Sequence, residues 1–445
     1  MDGRERARIV ALIRSQVVPA VGCTEPVAVA LCVARACELL RGGVLPVGMG
    51  PQEARVPENI DVRLSANILK NALGVGIPGT GMVGLPIAVA LGALVGRSAD
   101  GLEVLGHVTE DAVDAGRRIV QEGRIQIGLC EADCPKLYIE VCVRQGADSA
   151  TAVIAHSHTR FVRLERNGNP CPLPQSASGT DDDDVGAEEG NCVALDFATV
   201  YAFATTAPLE EIDFINEAGR LNVAAAEQAL RGTYGHDLGK TLTRPLGKGI
   251  MGESIFSHII ATTASACDAR MAGAPIPVMS NSGSGNQGIC ATVPVVVFAR
   301  ENHNTGEELT RALVLSHLTA IYIKQSLGTL SALCGCVVAS TGSSVGITYL
   351  MGGTYAQLCA SVKNMVANLT GMICDGAKPS CALKLSSGVS TAVLSSLLAM
   401  QGHCVSAAEG IIDDDVDKSI RNLTRIGHDA MDETDRCVLD IMVNK

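Results

Sequence analysis

Apolar residues recur at helical spacing from the start of the chain. Ile9, Val10, Leu12, Ile13 and Val17 predict an amphipathic helix over residues 4–18. A short stretch, PAVGCTEP at residues 19–26, interrupts it, and residues 27–40 are apolar enough for a buried helix. Pro26 suits the first helical turn, where its missing N–H costs no hydrogen bond. Residues 61–73 alternate in part like a strand, 85–95 predict an apolar helix, 102–108 a strand and 110–122 an amphipathic helix. Residues 137–143 and 151–165 are rich in β-branched side chains and predict paired strands. Beyond residue 191 strand signals nearly vanish. Helical patterns then cover residues 196–206, 208–231, 253–271, 309–324, 354–372, 382–400 and 415–443.

The character changes at residues 167–191, NGNPCPLPQSASGTDDDDVGAEEGN, where Pro, Gly and Ser accompany six clustered acids. Such a segment reads as a solvated tether and marks a domain boundary. The expected fold class is α+β. An N-terminal α/β domain (1–166) and an acidic linker (167–191) precede a mostly helical domain (192–445).

Composition narrows the function. A chain of 445 residues with 47% hydrophobic residues supports a large folded core. Its net charge of −12, with 3% aromatics and no Trp, argues against nucleic acid as a partner. The first six residues carry both signs of charge and lack an apolar signal core, so a cytoplasmic location is expected. Residues 72–96, 325–362 and 385–408 contain no Asp, Glu, Lys or Arg, and each is long enough to span a bilayer. They are rich in Gly, Ser and Thr and lack aromatic belts, so close-packed buried helices are expected rather than membrane spans.

Several motifs could carry chemistry. Gly79–Gly84 and Gly283–Gly288 both match G-x-G-x-x-G. Without a βαβ unit and a ribose-binding acid, the bare motif is weak evidence of a dinucleotide site. Backbone N–H groups at such helix starts can instead cradle a small anion such as a carboxylate. Gly342–Gly346 matches G-x-S-x-G, with Asp375 or Asp413 and then His428 downstream, but its helical surroundings favour a packing turn. His156 and His158 are expected to alternate on a strand. There is no C-x-x-C, and Cys130 and Cys134 read as structural. Most of the 17 cysteines are expected to be small core residues. The densest group is Cys334, Cys336, Cys374 and Cys381, where a loop with Asp, Gly and Pro separates the last two. An incomplete cysteine set can hold an iron–sulfur cubane with one iron open, which acts as a Lewis acid. Cys23 precedes Pro26 at a helix start, whose positive end favours thiolate. It could serve as base, nucleophile or metal ligand.

Taken together, Gly22–Pro26 (GCTEP), residues 70–84 (KNALGVGIPGTGMVG), His158-Thr159, residues 282–288 (SGSGNQG), Cys334–Cys336 and residues 371–381 (GMICDGAKPSC) resemble the iron–sulfur L-cysteine desulfidases. These are relatives of the iron–sulfur L-serine dehydratases, and the segments run in order across almost the whole chain. The resemblance implies a [4Fe-4S] cluster on Cys334, Cys374 and Cys381, with Cys336 as the alternative to Cys334. It implies Cys23 as catalytic base, or as a fourth cluster ligand that substrate displaces. The implied reaction converts L-cysteine and water to pyruvate, ammonia and sulfide. Thr24, Asn71, His158, Ser284 and Asn286 are the expected substrate contacts. No pyridoxal phosphate is expected, since Lys70, Lys240 and Lys248 lie in no setting suited to a Schiff base. The expected partner is a small amino acid, with a homo-oligomer possible. L-Serine or L-threonine dehydration is the nearest alternative. From other classes come a transporter of broken Gly-rich helices and a cluster-free amino-acid-binding protein.

Overall fold

The computed structural model describes residues 1–44, 56–130, 134–174, 193–328 and 331–444. The chain opens with α1 (Gly3–Gln16), β1 (Pro19–Val21), α2 (Thr24–Arg41), β2 (Asn59–Leu64), α3 (Ala66–Ala72), α4 (Leu85–Leu94) and α5 (Glu110–Gln121). Strands β3 (Ile125–Leu129), β4 (Tyr138–Gln145), β5 (Asp148–Ala155), β6 (Phe161–Arg166) and β7 (Asn169–Pro170) follow. They form a sheet of order β3-β2-β4-β5-β6-β7, in which β2 and β3 are parallel and every other pair is antiparallel. Ile60, Val62 and Leu64 alternate into the core with Ile139, Val141 and Val143, and α2 buries its apolar side on that face. This is the one-sided burial that the alternating pattern dictates.

The second part is helical: α6 (Phe197–Thr206), α7 (Leu209–Ile212), α8 (Asn216–Arg231), α9 (Leu238–Thr243), α10 (Pro245–Met251) and α11 (Ile255–Met271). After β8 (Pro277–Met279) come α12 (Gly285–Glu301), α13 (Gly306–Leu327), α14 (Gly335–Leu350), α15 (Tyr355–Leu369), α16 (Cys381–Met400), α17 (Val416–Arg425) and α18 (Asp432–Asn444). The architecture is therefore mixed α/β, with the sheet N-terminal and the helices C-terminal. The chain ends cross over. Ile9 and Ile13 of α1 join the helical core, whereas Leu439 of α18 joins the sheet core.

The uncharged Ser/Thr/Gly run at residues 325–362 is explained by α14, which is buried almost all round. Its hydroxyls satisfy themselves on the preceding turn, with Ser340 donating to the Cys336 carbonyl, Thr341 to Val337 and Thr348 to Ser344. A Cβ at Gly342 would strike the Ser316 carbonyl, so α13 and α14 meet backbone to backbone. Among the described residues only α16 is long and apolar enough to cross a membrane, and half of its apolar window is buried inside the fold.

Several expectations need correction. Residues 102–108 form no strand. A 3-10 turn covers Ser98–Glu103, and the Val104 and Gly106 N–H groups donate to the carbonyls of Gly101 and Glu103, turn bonds in place of a sheet ladder. Residues 61–73 divide at Ser65 into the end of β2 and α3. Residues 415–443 are α17 and α18 joined by a π-helical turn at Ile426–Ala430. G-x-S-x-G lies inside α14, where Ser344 donates to the Thr341 carbonyl. Cys130 and Cys134 are bridged by a disulfide. The segment read as a linker starts with β7, and its acidic run lies outside the described residues.

Candidate functional site

Three helices begin on a thiol. Cys23 is the N-cap of α2, Cys334 the N-cap of α14, and Cys381 the first residue of α16. None of these starts has a side-chain cap, which leaves first-turn N–H groups free at Cys23 and Cys334, whereas the N–H groups of Cys381, Ala382 and Leu383 donate to the carbonyls of Lys378, Pro379 and Ser380.

Cys334 and Cys374 sit on segments that pair as a short bridge, Leu333 opposite Ile373. The Cys374 N–H donates to the Ala332 carbonyl at 2.6 Å, and the Cys334 N–H to Met372 at 2.9 Å. The Cys381 thiol donates back across its loop to the Gly376 carbonyl at 3.7 Å. Charge on Cys334 raises both Cys374 and Cys381, so the three thiols share one electrostatic site. The Cys334 and Cys336 thiols share a hydrogen bond at 3.3 Å, which lowers the Cys334 pKa and raises that of Cys336. The backbone N–H of Cys336 and the ammonium of Lys384 lower Cys334 further, against burial. Burial raises Cys374 and lifts Cys381 to about 11.

Cations surround the group. Lys384 and Lys378 both pair with Asp375, holding that carboxyl at about 2 against the opposing effect of burial. Lys70 is buried, pairs with Asp435 of α18, and donates to the Cys374 carbonyl at 3.4 Å. Burial lowers Lys324 to about 8, opposed by Cys374, Cys334 and Glu25.

This donor set fits an iron–sulfur cubane. Two buried soft thiols, Cys334 and Cys381, and the partly buried Cys374, with cations and helix N-termini around them, suit an anionic cluster. Among the described residues no three Cys, His, Asp or Glu side chains converge on a single-ion site. A cubane makes no such demand, because each thiolate binds a different iron.

Cys23 is a further buried thiol. It is 4% exposed, and charge on Cys381 raises its pKa. Its thiol donates to Glu25 Oε2 at 3.4 Å, and Arg270 Nη2 lies 3.8 Å from its sulfur. Burial first and then the Glu25 carboxylate push Cys23 up to about 12, against the opposing effect of Arg270. The low pKa expected from the helix start is thus overturned. Desolvation of the thiolate and a neighbouring carboxylate outweigh the helix end.

Three expected substrate contacts, Thr24, Asn71 and Asn286, are tied to Cys23 or its neighbours, and Ser284 lies beside them at the start of α12. Asn71 donates to Glu25 Oε1 at 3.2 Å, and Thr24 to the Gly283 carbonyl at 3.2 Å. Ser284 caps α12 by accepting from the Gln287 N–H, and Asn286 Oδ1 accepts from Arg270 Nη1 at 3.1 Å. A Cβ at Gly285 would collide with Arg270 Nε, so this glycine makes room for the guanidinium. His158 is not brought in by any hydrogen bond. It lies in the β5–β6 turn with its Nε2 buried and unpartnered, and His156 beside it has φ +71°, which ends the strand.

Sequence reasoning missed Arg270, Lys324 and Cys267. The available signal was a single arginine in the small-residue stretch TTASACDARM of α11. The lysines considered for a Schiff base are engaged elsewhere: Lys240 on the Gly232 carbonyl and Lys248 on Glu253. Neither G-x-G-x-x-G loop lies in a βαβ unit among the described residues. The first joins α3 to α4, and the second follows β8, whose only strand partner is the antiparallel β1.

Comparison with known proteins places the chain in a family. Residues 99–440 match the family model described as serine dehydratase alpha chain. The chain is 61% identical over 441 residues to a UPF0597 protein of Bacteroides thetaiotaomicron, covering 99% of this chain and 98% of that one. It is 61% identical over 442 residues to a UPF0597 protein of Phocaeicola vulgatus, with the same coverage, and 50% identical over 445 residues to one of Porphyromonas gingivalis, covering both fully. The chain belongs to the serine dehydratase alpha-chain family, and so to the iron–sulfur lyases of dehydratase type.

Proposed function

We propose that this protein catalyses the iron–sulfur-dependent β-elimination of L-cysteine, yielding pyruvate, ammonia and sulfide. The observation that carries the reading is the placement of Cys23 within electrostatic reach of Cys381, and of Cys381 within reach of Cys334 and Cys374. A [4Fe-4S] cluster held by those three thiolates supplies, when bound, a Lewis acid for the leaving sulfur.

The protein's own groups do the rest. In this reading Thr24, Asn71, Ser284 and Asn286 orient the amino acid, supported by the bonds of Asn71 to Glu25 and of Asn286 to Arg270, the two groups that touch Cys23. The Cα proton is delivered to Cys23 Sγ once that thiol is deprotonated, a state that burial and Glu25 oppose and that Arg270 favours. Cys23 serves alternatively as a ligand that substrate displaces. Loss of the Cα proton and of the β-sulfur leaves aminoacrylate, which tautomerises and takes up water to give pyruvate and ammonia. The burial of Cys23 and Arg270 keeps bulk water from the reacting centre.

The family match favours a second reading, dehydration of L-serine or L-threonine at the same site. Sulfide and pyruvate assays on anaerobically purified protein, run with cysteine and with serine, decide between them. Sulfide and pyruvate from cysteine are expected. Pyruvate from serine without sulfide from cysteine selects the second reading.

A further inference from the structure

Arg270 is 4% exposed, yet among the described residues no carboxylate forms an ion pair with it. Its two strong hydrogen bonds go to neutral oxygens, the Gly22 carbonyl at 3.0 Å and Asn286 Oδ1 at 3.1 Å. Its third contact is the Cys23 sulfur at 3.8 Å, and Nε is buried with no partner. While Cys23 is a thiol, this buried cation has no counter-ion, which is costly, and an anion would complete the site. A planar guanidinium matches a carboxylate in two-point geometry. The start of α12 next to it adds the N–H groups of Gly285 and Asn286 and a positive helix end.

We propose that Arg270 captures the α-carboxylate of the substrate, holding the amino acid against Cys23. The assignment rests on the reading of this site as an amino-acid site. It restricts substrates to those with a free α-carboxylate, whatever the β-leaving group, and excludes amides, esters and decarboxylated amines.

The test is equilibrium binding of L-alanine, which has the carboxylate but no leaving group, and of L-alaninamide, which lacks the charge. Both are titrated into anaerobically prepared holoprotein by calorimetry. Wild type is expected to prefer L-alanine. Arg270→Gln is expected to weaken L-alanine about 100-fold while changing L-alaninamide only a few-fold. Arg270→Lys, which keeps the charge, is expected to lose about tenfold and to retain the preference, and it serves if the glutamine variant does not fold. Equal weakening of both ligands would show that Arg270 serves Cys23 or the fold, and would overturn the proposal. So would wild type that does not bind L-alanine. If Arg270-dependent binding of L-alanine holds while neither cysteine nor serine is turned over, the elimination reading fails and the carboxylate assignment stands.

Discussion

Cys334 and Cys374, forty residues apart, are held together by reciprocal backbone hydrogen bonds between their own short segments, Leu333 facing Ile373. The pairing fixes two thiols before any metal arrives, and Cys381 returns to them at the start of α16. A site prepared in this way spends little ordering entropy on binding its cluster.

The 3.3 Å contact between Cys334 and Cys336 separates their roles. Cys334, at the helix start and stabilised as thiolate, is the expected ligand, with Cys336 its hydrogen-bond donor. Cys334→Ser is expected to lose most bound iron. Cys336→Ser is expected to keep iron close to the wild-type level, with lower stability. Iron determination on both variants checks this, and the reverse pattern assigns Cys336 as the ligand.

Lys70 and Asp435 tie α3, the Cys374 loop and the C-terminal helix together. Asp435→Asn leaves the buried ammonium unpaired, with an expected loss of about 3 kcal/mol in chemical denaturation. Adding Lys70→Met is expected to recover a large part of it. Additive losses in the double-mutant cycle would show that the pair is not coupled.

His317 is fully buried between Asn281 and Thr292, and burial lowers it from 6.5 to about 3. Between those values the unfolded chain binds a proton that the folded chain does not. Stability is therefore complete above pH 6.5 and falls as pH drops towards 3, by at most about 1.4 kcal/mol per pH unit from this one group. Urea midpoints measured across that range are expected to show a shallower slope for His317→Gln than for wild type, on top of a lower stability at neutral pH.

Helical spacing and β-branched runs made the two-part organisation legible. The charge-free stretch of α14 read correctly as a buried helix, whose Ser and Thr hydroxyls bond back to their own helix, whereas the apolar window of α16 is only half buried and leaves Leu394, Leu397 and Leu398 exposed. Residues 102–108 were misread because Leu102, Val104 and Val108 mimic alternation, while adjacent Val104 and Leu105 both turn inward. The cysteine group was visible as a cluster of residue types in order. Arg270 was not, since its partners Gly22 and Asn286 are far away in the chain and meet it only after folding. The pKa of Cys23 was also out of reach, because a helix-end argument cannot count the burial and the Glu25 carboxylate that oppose it.

Iron and acid-labile sulfide content of anaerobically prepared protein, compared with Cys374→Ala, bears most directly on the proposed thiol-held cluster. About four of each per chain are expected in wild type, and near-complete loss in a variant that remains folded. Wild type without iron and sulfide, or a Cys374→Ala protein that keeps both, would contradict it.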